Sequence, residues 1–120
     1  MKLLLACLLV SSVALADVDE VENNKTHTVD CKKDPTVRVS GNSDTFTLTG
    51  TCESVQVSGN KNTVKGDGAK QVMLSGNDNT VALSTIDSVM VSGDRNTVSY
   101  KKKKPTVADQ GSKNKVTQAK

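Results

Sequence analysis

The sequence predicts an all-β fold, a single-stranded β-solenoid (β-helix) of about five coils with roughly 17–18 residues each. A glycine preceded by alternating apolar residues recurs at nearly constant spacing, in degraded form in the last copy, at Gly41, Gly59, Gly76, Gly93 and Gly111. Three residues after each glycine stands Asn or Asp. A unit this short cannot bury a core of its own, so its copies are expected to stack.

Each copy has the apolar-polar alternation of a strand with one buried face. In the second copy, Val55 and Val57 share the inward face. These valines precede Gly59 by an even number of residues, whereas the next inward residue, Val64, follows it by an odd number. We expect a corner at Gly-Asn, with a bulge or a glycine at positive φ, to absorb the extra residue. A third inward position, in a short segment of its own, recurs seven residues before the central glycines, at Cys52, Ala69 and Ile86.

The Asn or Asp of each copy is predicted to stack into a column at the corner. Its members are Asp44, Asn62, Asn79, Asn96 and Asn114. Side-chain amides one coil apart can hydrogen-bond along the stack, as in the ladders of steric zippers. Asparagine beside glycine is also ordinary turn chemistry, because Asn tolerates the left-handed conformation. The column is therefore interpreted as a structural ladder, with a ligand role as the alternative.

The chain divides into four predicted segments. Residues 1–16 begin with Met-Lys, continue with an apolar run and end in Ala-Leu-Ala, the pattern of a signal peptide cleaved after Ala16. Because the run is too short for a membrane span, no transmembrane segment is expected after cleavage, and the protein is predicted to be secreted or periplasmic. Residues 17–28 are predicted to be a disordered acidic leader, residues 29–117 the solenoid, and residues 118–120 a tail.

The sequence contains two candidate sites of covalent modification, one for lipidation and one for glycosylation. Cys7 can be read as the cysteine of a lipobox, Leu4-Leu5-Ala6-Cys7, although only four residues separate it from Lys2. Asn24, in Asn24-Lys25-Thr26, is a glycosylation acceptor only if the source is eukaryotic.

Cys31 and Cys52 remain after signal cleavage and are predicted to form a disulfide. An even number of cysteines in an oxidising compartment is most simply a bonded pair. Their separation is close to one coil plus a small insertion, which suits the Cα distance that a disulfide needs. Such a bond would tie the entry segment to the first full coil and stabilise the fold by roughly 3 kcal/mol in the chain-entropy model.

Neither catalysis nor a bound metal or cofactor is predicted. His27 is the only histidine and precedes the repeats, so no Ser-His-acid or Cys-His arrangement is supported. Two cysteines and one histidine also fall short of a tetrahedral metal site. A glycosidase needs two carboxylates at a set separation. The acids of the repeats stand instead at different positions of the coil, at Asp67, Asp78, Asp87 and Asp94.

A basic run follows the last strong repeat and precedes Pro105. It consists of Lys101, Lys102, Lys103 and Lys104. Charge and proline blunt the exposed edge of a sheet, so the run is predicted to be a solvated guard or linker before the last coil. The alternative is contact with an anionic cell-surface polymer or with membrane headgroups. Nucleic acid is not an expected partner, because the run is short and lacks aromatic neighbours.

Outward threonines form a further predicted column directly after the asparagines, at Thr45, Thr63, Thr80 and Thr97. Serines form another beside the corner, at Ser40, Ser58, Ser75 and Ser92. Flat threonine arrays on solenoids bind ice, but as two columns in the pattern Thr-x-Thr, which the repeats show only at Thr45-Phe46-Thr47. Threonine is also common on strands because of its β propensity. Binding of ice or a glycan is the alternative to a structural role.

The iterated pattern Val-x-Val-x-Gly-x-x-Asn-x-Val resembles the bacterial family catalogued as domain of unknown function three-thousand-sixty. The resemblance covers roughly residues 29–117. It implies a secreted or periplasmic repeat protein and carries over no catalytic residues. We therefore expect an exported, non-enzymatic β-solenoid with a structural or surface-interaction role, whose partner is a cell-envelope polymer or another protein.

Overall fold

All regular structure among the described residues is β-strand. The computed structural model describes residues 17–20 and 23–119, with side chains from residue 23 onward. The strands are β1 (Asp17–Glu20), β2 (Thr26–Asp30), β3 (Thr36–Val39), β4 (Thr45–Val57), β5 (Thr63–Leu74), β6 (Thr80–Val91), β7 (Thr97–Tyr100), β8 (Thr106–Asp109) and β9 (Lys115–Gln118). A helix with the length and apolarity of a membrane span does not occur in this part of the chain.

The strands pair in parallel with a shift of one coil, so they stack as a solenoid of about five coils. β4 pairs with β5, and β5 with β6, over most of their length. In these pairs Thr45 lies beside Thr63, and Thr63 beside Thr80. The last coils are shared among shorter strands, with β7 and β8 both paired to β6, and β9 paired to β7. The all-β solenoid predicted from the repeat is confirmed.

The core is a stack of apolar columns with one residue per coil. The inward positions predicted on either side of the corner are buried, with Val55, Val57 and Val64 at most 1% exposed. The third predicted inward position is also buried, at Cys52, Ala69 and Ile86. Because each layer of such a core is thin, its stability depends on contacts between neighbouring coils.

The corner turns at a residue other than the predicted one. The sequence predicts positive φ at the glycine, but the structure places it two residues later, with φ of 55–59°, at Ser43, Lys61, Asp78, Arg95 and Lys113. Asn24 has the same conformation in the first coil, with φ of 59°. The left-handed conformation costs a non-glycine residue about 1–2 kcal/mol. Hydrogen bonds on both sides of this residue, described below, offset that cost.

The corner glycines are required because successive coils approach closely there. A Cβ atom at Gly59 would overlap the carbonyl oxygen of Gly41 and lie 2.7 Å from its carbonyl carbon. One coil further on, a Cβ atom at Gly76 would overlap the carbonyl oxygen of Gly59 in the same way. The obstacle is backbone in each case, so it cannot rotate away. The glycine of the repeat therefore sets the stacking distance, and it does not supply the turn conformation.

The stack begins earlier than the sequence predicts. β1 pairs with β3 and β2 pairs with β4, so strands occupy residues 17–20 and 26–30, where a disordered leader is expected up to residue 28. The polar composition of this segment conceals its strands, because backbone hydrogen bonds to the next coil need no particular side chain. The predicted signal peptide, residues 1–16, lies outside the described residues.

Cys31 and Cys52 form the predicted disulfide, with Cα atoms 4.8 Å apart. Both residues are buried. Cys52 lies in the third inward column, beside Ala69 of the next coil. Cys31 follows β2 directly, and its N–H donates to the carbonyl oxygen of Thr49. The disulfide therefore bonds the entry segment to the first full coil, as predicted.

Candidate functional site

The predicted asparagine column is buried at the corner, with Asn62, Asn79 and Asn96 at most 1% exposed. The Oδ1 atom of Asn79 accepts a hydrogen bond of 2.9 Å from the backbone N–H of Asn62. Its Nδ2 donates to the carbonyl oxygen of Gly59, also at 2.9 Å. Asn96 repeats both contacts one coil further on. This inner ladder thus joins side chains to the backbone of the preceding coil, whereas the sequence predicts bonds between the side-chain amides.

The two ends of the inner ladder differ from its middle. At the start, Asp44 is 1% exposed and its Oδ1 accepts the N–H of Lys25 at 2.8 Å. Its Oδ2 is buried with no hydrogen-bond partner among the described residues. At the far end, Nδ2 of Asn114 donates to Gly93 and to Asp109, at 2.8 Å each. Asp109 stands beside Val91, so a charged residue follows the apolar run of this column, which extends from Val39 to Val91.

A second ladder, on the outside of the corner, is absent from the sequence-based prediction. It consists of the residues directly after the glycines, where Oδ1 accepts a backbone N–H from the next coil. Asn42 accepts from Asn60 at 2.9 Å, and Asn60 accepts from Asn77 at 3.0 Å. Asn77 in turn accepts from Asp94 at 2.9 Å. The recurrent Gly-Asn dipeptide was the signal that could have revealed this outer ladder.

An exposed ion pair occupies the left-handed position between the two ladders. Arg95 donates from Nε and Nη2 to the carboxylate of Asp78, at 2.8 and 3.0 Å. The hydrogen bond from Arg95 lowers the pKa of Asp78, and the bond to Asp78 raises the pKa of Arg95. The two residues lie one coil apart. The ion pair between Arg95 and Asp78 therefore joins neighbouring coils at the corner.

The predicted threonine column is in register on the outside of the solenoid. Thr45, Thr63, Thr80 and Thr97 lie side by side on neighbouring coils. The structure adds Thr26 at the start, paired with Thr45. A parallel column two residues on contains Thr28, Thr47, Lys65, Ala82 and Ser99. Lys115 and Thr117 end the two columns. Together these columns, which we call the threonine face, carry a hydroxyl at nine of twelve positions, and every residue on them is exposed or half-buried.

The threonine face has the Thr-x-Thr pattern on two neighbouring coils. Thr26 and Thr28 flank His27, in the same way that Thr45 and Thr47 flank Phe46. The rings of His27 and Phe46 stack beneath the face, with centroids 4.8 Å apart and planes inclined by 22°. The glycine repeats do not predict the first pair, because Thr26 and Thr28 precede Gly41. Only the pairing of β2 with β4 places Thr26 and Thr28 on the threonine face.

The serine column lines a shallow groove of about 320 Å³ along another side of the stack. The hydroxyl of Ser58 donates to the carbonyl oxygen of Val39 at 3.2 Å, and Ser75 donates to Val57 at 3.4 Å. Met73 and the exposed Met90 lie on the rim. Because these hydroxyl protons are directed to the backbone, the serine column joins coils together.

The lysine run is an exposed loop on the terminal coil, between β7 and β8. The N–H groups of Lys101 and Lys102 donate to the carbonyl oxygen of Ser84, at 3.1 and 3.0 Å. Gln118 donates from Nε2 to the carbonyl oxygens of the same two lysines. Pro105 is buried at the end of the loop. The backbone of the run is therefore fixed to the preceding coil, while its four side chains point to solvent.

The remaining acidic side chains do not converge. Asp67 accepts the N–H of Gly50 at 2.9 Å, and Glu53 pairs with Lys70 at 3.2 Å. In residues 23–119, no group of three or more His, Cys, Asp or Glu side chains is close enough to hold a metal ion. The contacts of Asp67 and Glu53, like those of the ladders, join one coil to the next.

Comparison with protein families gives one result. The family model described as protein of unknown function (DUF3060) matches residues 39–85 and 71–113. Two overlapping matches are the expected result for a chain whose repeats are in phase. No curated protein and no solved structure matches the chain. The matched span contains the corner glycines, the inner ladder as far as Asn96, the outer ladder from Asn42 to Asp94 and most of the threonine face, and the chain belongs to this family of proteins of unknown function.

Proposed function

We propose that the protein is an exported, non-enzymatic β-solenoid with a surface-interaction role, and that the threonine face is its contact surface. The ligand would be a solid that presents regularly spaced hydroxyl groups, either an insoluble glycan of the cell envelope or ice. A purely structural role, as a rigid spacer between partners, is the alternative.

The observation that carries this proposal is the division of the polar side chains between two tasks. The asparagines and serines of the repeat bond neighbouring coils together. The hydroxyls of the threonine face lie on a parallel sheet, about 4.8 Å apart between coils and about 6.6 Å apart along a strand. Because the sheet fixes this spacing before a ligand arrives, little conformational entropy is lost on contact with a surface of matching period.

Export is supported by two features. The apolar run that ends in Ala14-Leu15-Ala16 has the pattern of a signal peptide. The disulfide between Cys31 and Cys52 is the kind of bond that persists in an oxidising compartment. The proposal of a secreted or periplasmic protein rests on both together. Appearance of the mature chain, starting at Asp17, in the exported fraction would support it.

Contact through the threonine face is tested by placing two lysines at its centre. The variant Thr63→Lys with Thr80→Lys projects two long charged side chains from the middle of the face. Its matched control, Gln71→Lys with Ser88→Lys, makes the same charge change on the same two coils but on another side. Adsorption to insoluble glycans and to ice is measured for both variants and the native chain.

We expect the face variant to lose at least tenfold in adsorption to one of these solids, while the control adsorbs like the native chain. The identity of that solid separates a glycan ligand from ice. Equal adsorption of the two variants would contradict contact through the face. Failure of the native chain to adsorb to any of the solids would favour the structural alternative.

A further inference from the structure

The charges of this chain are segregated along the axis of the stack. A solenoid places its coils in chain order, so a charge asymmetry in the sequence becomes an asymmetry between the two ends. Residues 23–53 contain four acidic and four basic residues. Residues 101–119 contain six lysines and one acidic residue, Asp109. The small net charge of the whole chain therefore conceals a basic cluster in residues 101–119.

The six lysines surround the terminal coil. Four of them form the loop between β7 and β8, Lys113 occupies the left-handed corner position, and Lys115 begins β9 in register with Thr97. All six side chains are exposed. The ion pairs in the described part of the chain, Lys70 with Glu53 and Arg95 with Asp78, do not involve them. Asp109 is bonded to Gly111 and Asn114, within the corner.

This arrangement is suited to a flat anionic surface. Lys101 to Lys115 span less than one coil of the chain, so the lysines are distributed around the stack and do not line a groove along it. A linear polymer that passes the end of the stack meets only some of them, whereas a planar surface can meet several together. Val107, 39% exposed on β8, adds an apolar group at the same end.

We propose that the terminal coil, residues 101–118, binds the anionic headgroups of a lipid surface and holds the solenoid end-on. Each lysine near an anionic membrane contributes about 1 kcal/mol, so several acting together give a stable but salt-sensitive attachment. Only Lys115 continues a column of the threonine face, in register with Thr97, so this proposal does not depend on contact through that face.

The chain offers a matched pair of variants for the test. One variant replaces the lysines of the terminal coil with glutamine, at Lys101, Lys102, Lys103, Lys104, Lys113 and Lys115. The other replaces six lysines elsewhere with glutamine, at Lys25, Lys32, Lys33, Lys61, Lys65 and Lys70. Both lower the net charge by the same amount, so only the position of the charge differs. A third variant, limited to Lys101–Lys104, serves if the first fails to fold.

Binding is measured by co-sedimentation with phosphatidylcholine vesicles, with and without phosphatidylglycerol. Only the phosphatidylglycerol-dependent part counts, because residues 1–16 are apolar and adhere to any bilayer while they are retained. Folding of each variant is checked by circular dichroism. We expect the terminal-coil variant to lose at least tenfold in this binding, the other variant to stay near the native value, and about 1 M salt to abolish the binding of the native chain.

Three results would overturn the proposal. Equal loss in the two six-lysine variants would mean that net charge alone drives binding. Absence of phosphatidylglycerol-dependent binding by the native chain would remove the lipid surface as a partner. Binding to soluble polyphosphate with no binding to vesicles would assign the lysines to a polymer instead.

Discussion

Asn62 and Thr63 are neighbours in the chain, and both recur once per coil, but the fold uses them in opposite ways. Asn62 is fully buried, and it bonds to the backbone of the preceding coil through both ends of its amide. Thr63 lies on the outer face, beside Thr45 and Thr80, where its side chain meets solvent. In the sequence the two columns have the same period and similar polarity.

Recurrence of a polar residue in every coil therefore does not by itself indicate a binding site. In a solenoid every position recurs, because every position is stacked. What separates the two columns is where their hydrogen bonds go. A polar group buried between coils must be bonded, since leaving it unpaired costs about 1–3 kcal/mol. A polar group on the outside carries no such obligation, so it is available for contact with a ligand.

The largest effect is expected at the corner glycine. In Gly76→Ala the new Cβ would overlap the carbonyl oxygen of Gly59, so the two coils would have to separate at the point where both ladders bond them. We expect a loss of more than about 4 kcal/mol in the free energy of unfolding, or no folded protein. Denaturant titration measures it, with Ser75→Ala as the control. A loss below about 1 kcal/mol would show that the coils are not held at this spacing.

The next effect contrasts the two neighbouring columns directly. Asn79→Ala leaves the N–H of Asn62 and the carbonyl of Gly59 buried without their partner, so we expect a loss of about 3 kcal/mol. Thr80→Ala removes an exposed side chain of the same coil and should change stability by no more than about 0.5 kcal/mol. Equal losses in the two variants would mean that the inner and outer columns contribute alike.

A reciprocal exchange at the start of the inner ladder sharpens the role of the amide. Asp44→Asn replaces the carboxyl group, whose Oδ2 is buried without a partner among the described residues, with the neutral amide that the later coils carry, so we expect a gain of about 1 kcal/mol. Asn62→Asp makes the opposite change one coil later and removes the bond to Gly41, so we expect a loss of about 2 kcal/mol. Thermal unfolding of the two variants checks the signs. A loss in Asp44→Asn would contradict this account of the ladder.

The smallest effect is expected at the exposed ion pair of the corner. The hydrogen bond from Arg95 lowers the pKa of Asp78, so the pair stabilises the fold above the ordinary aspartate pKa of about 3.9 and loses this contribution as the pH falls through the lowered value. Arg95→Gln should raise the pKa of Asp78 toward its ordinary value, which an NMR titration of the carboxyl measures. An unchanged titration midpoint would mean that the pair is not formed in solution.

The parts of the fold that could be predicted from the sequence are those where one residue type is required at every coil. The corner glycines and the buried asparagines fix the period. The alternation of valines with polar residues fixes which side chains point inward. The disulfide followed from the same period, since the spacing of the two cysteines brings Cys31 beside the next coil. These requirements are steric or come from buried hydrogen bonds, so substitution is costly and the pattern stays visible.

The rest could not be predicted, because it depends on the backbone. The left-handed position accepts serine, lysine, aspartate or arginine, so no residue type marks it. β1 and β2 are held by backbone hydrogen bonds to the following coil, which their polar sequence does not indicate. The threonine face was underestimated for this reason, since its first members, Thr26 and Thr28, lie on an unrecognised strand. The sequence shows the run of four lysines, but Lys113 and Lys115 join it only through the stacking of the coil.

Hydrogen exchange of the asparagine side chains tests most directly whether the inner column holds the stack together. The account predicts that the Nδ2 protons of Asn62, Asn79 and Asn96 exchange only when the whole solenoid unfolds, because each is buried and donates to a glycine carbonyl. The exposed Nδ2 group of Asn60, in the outer ladder, should exchange far faster in the same NMR spectrum. Similar exchange rates for the inner and outer asparagines would contradict it.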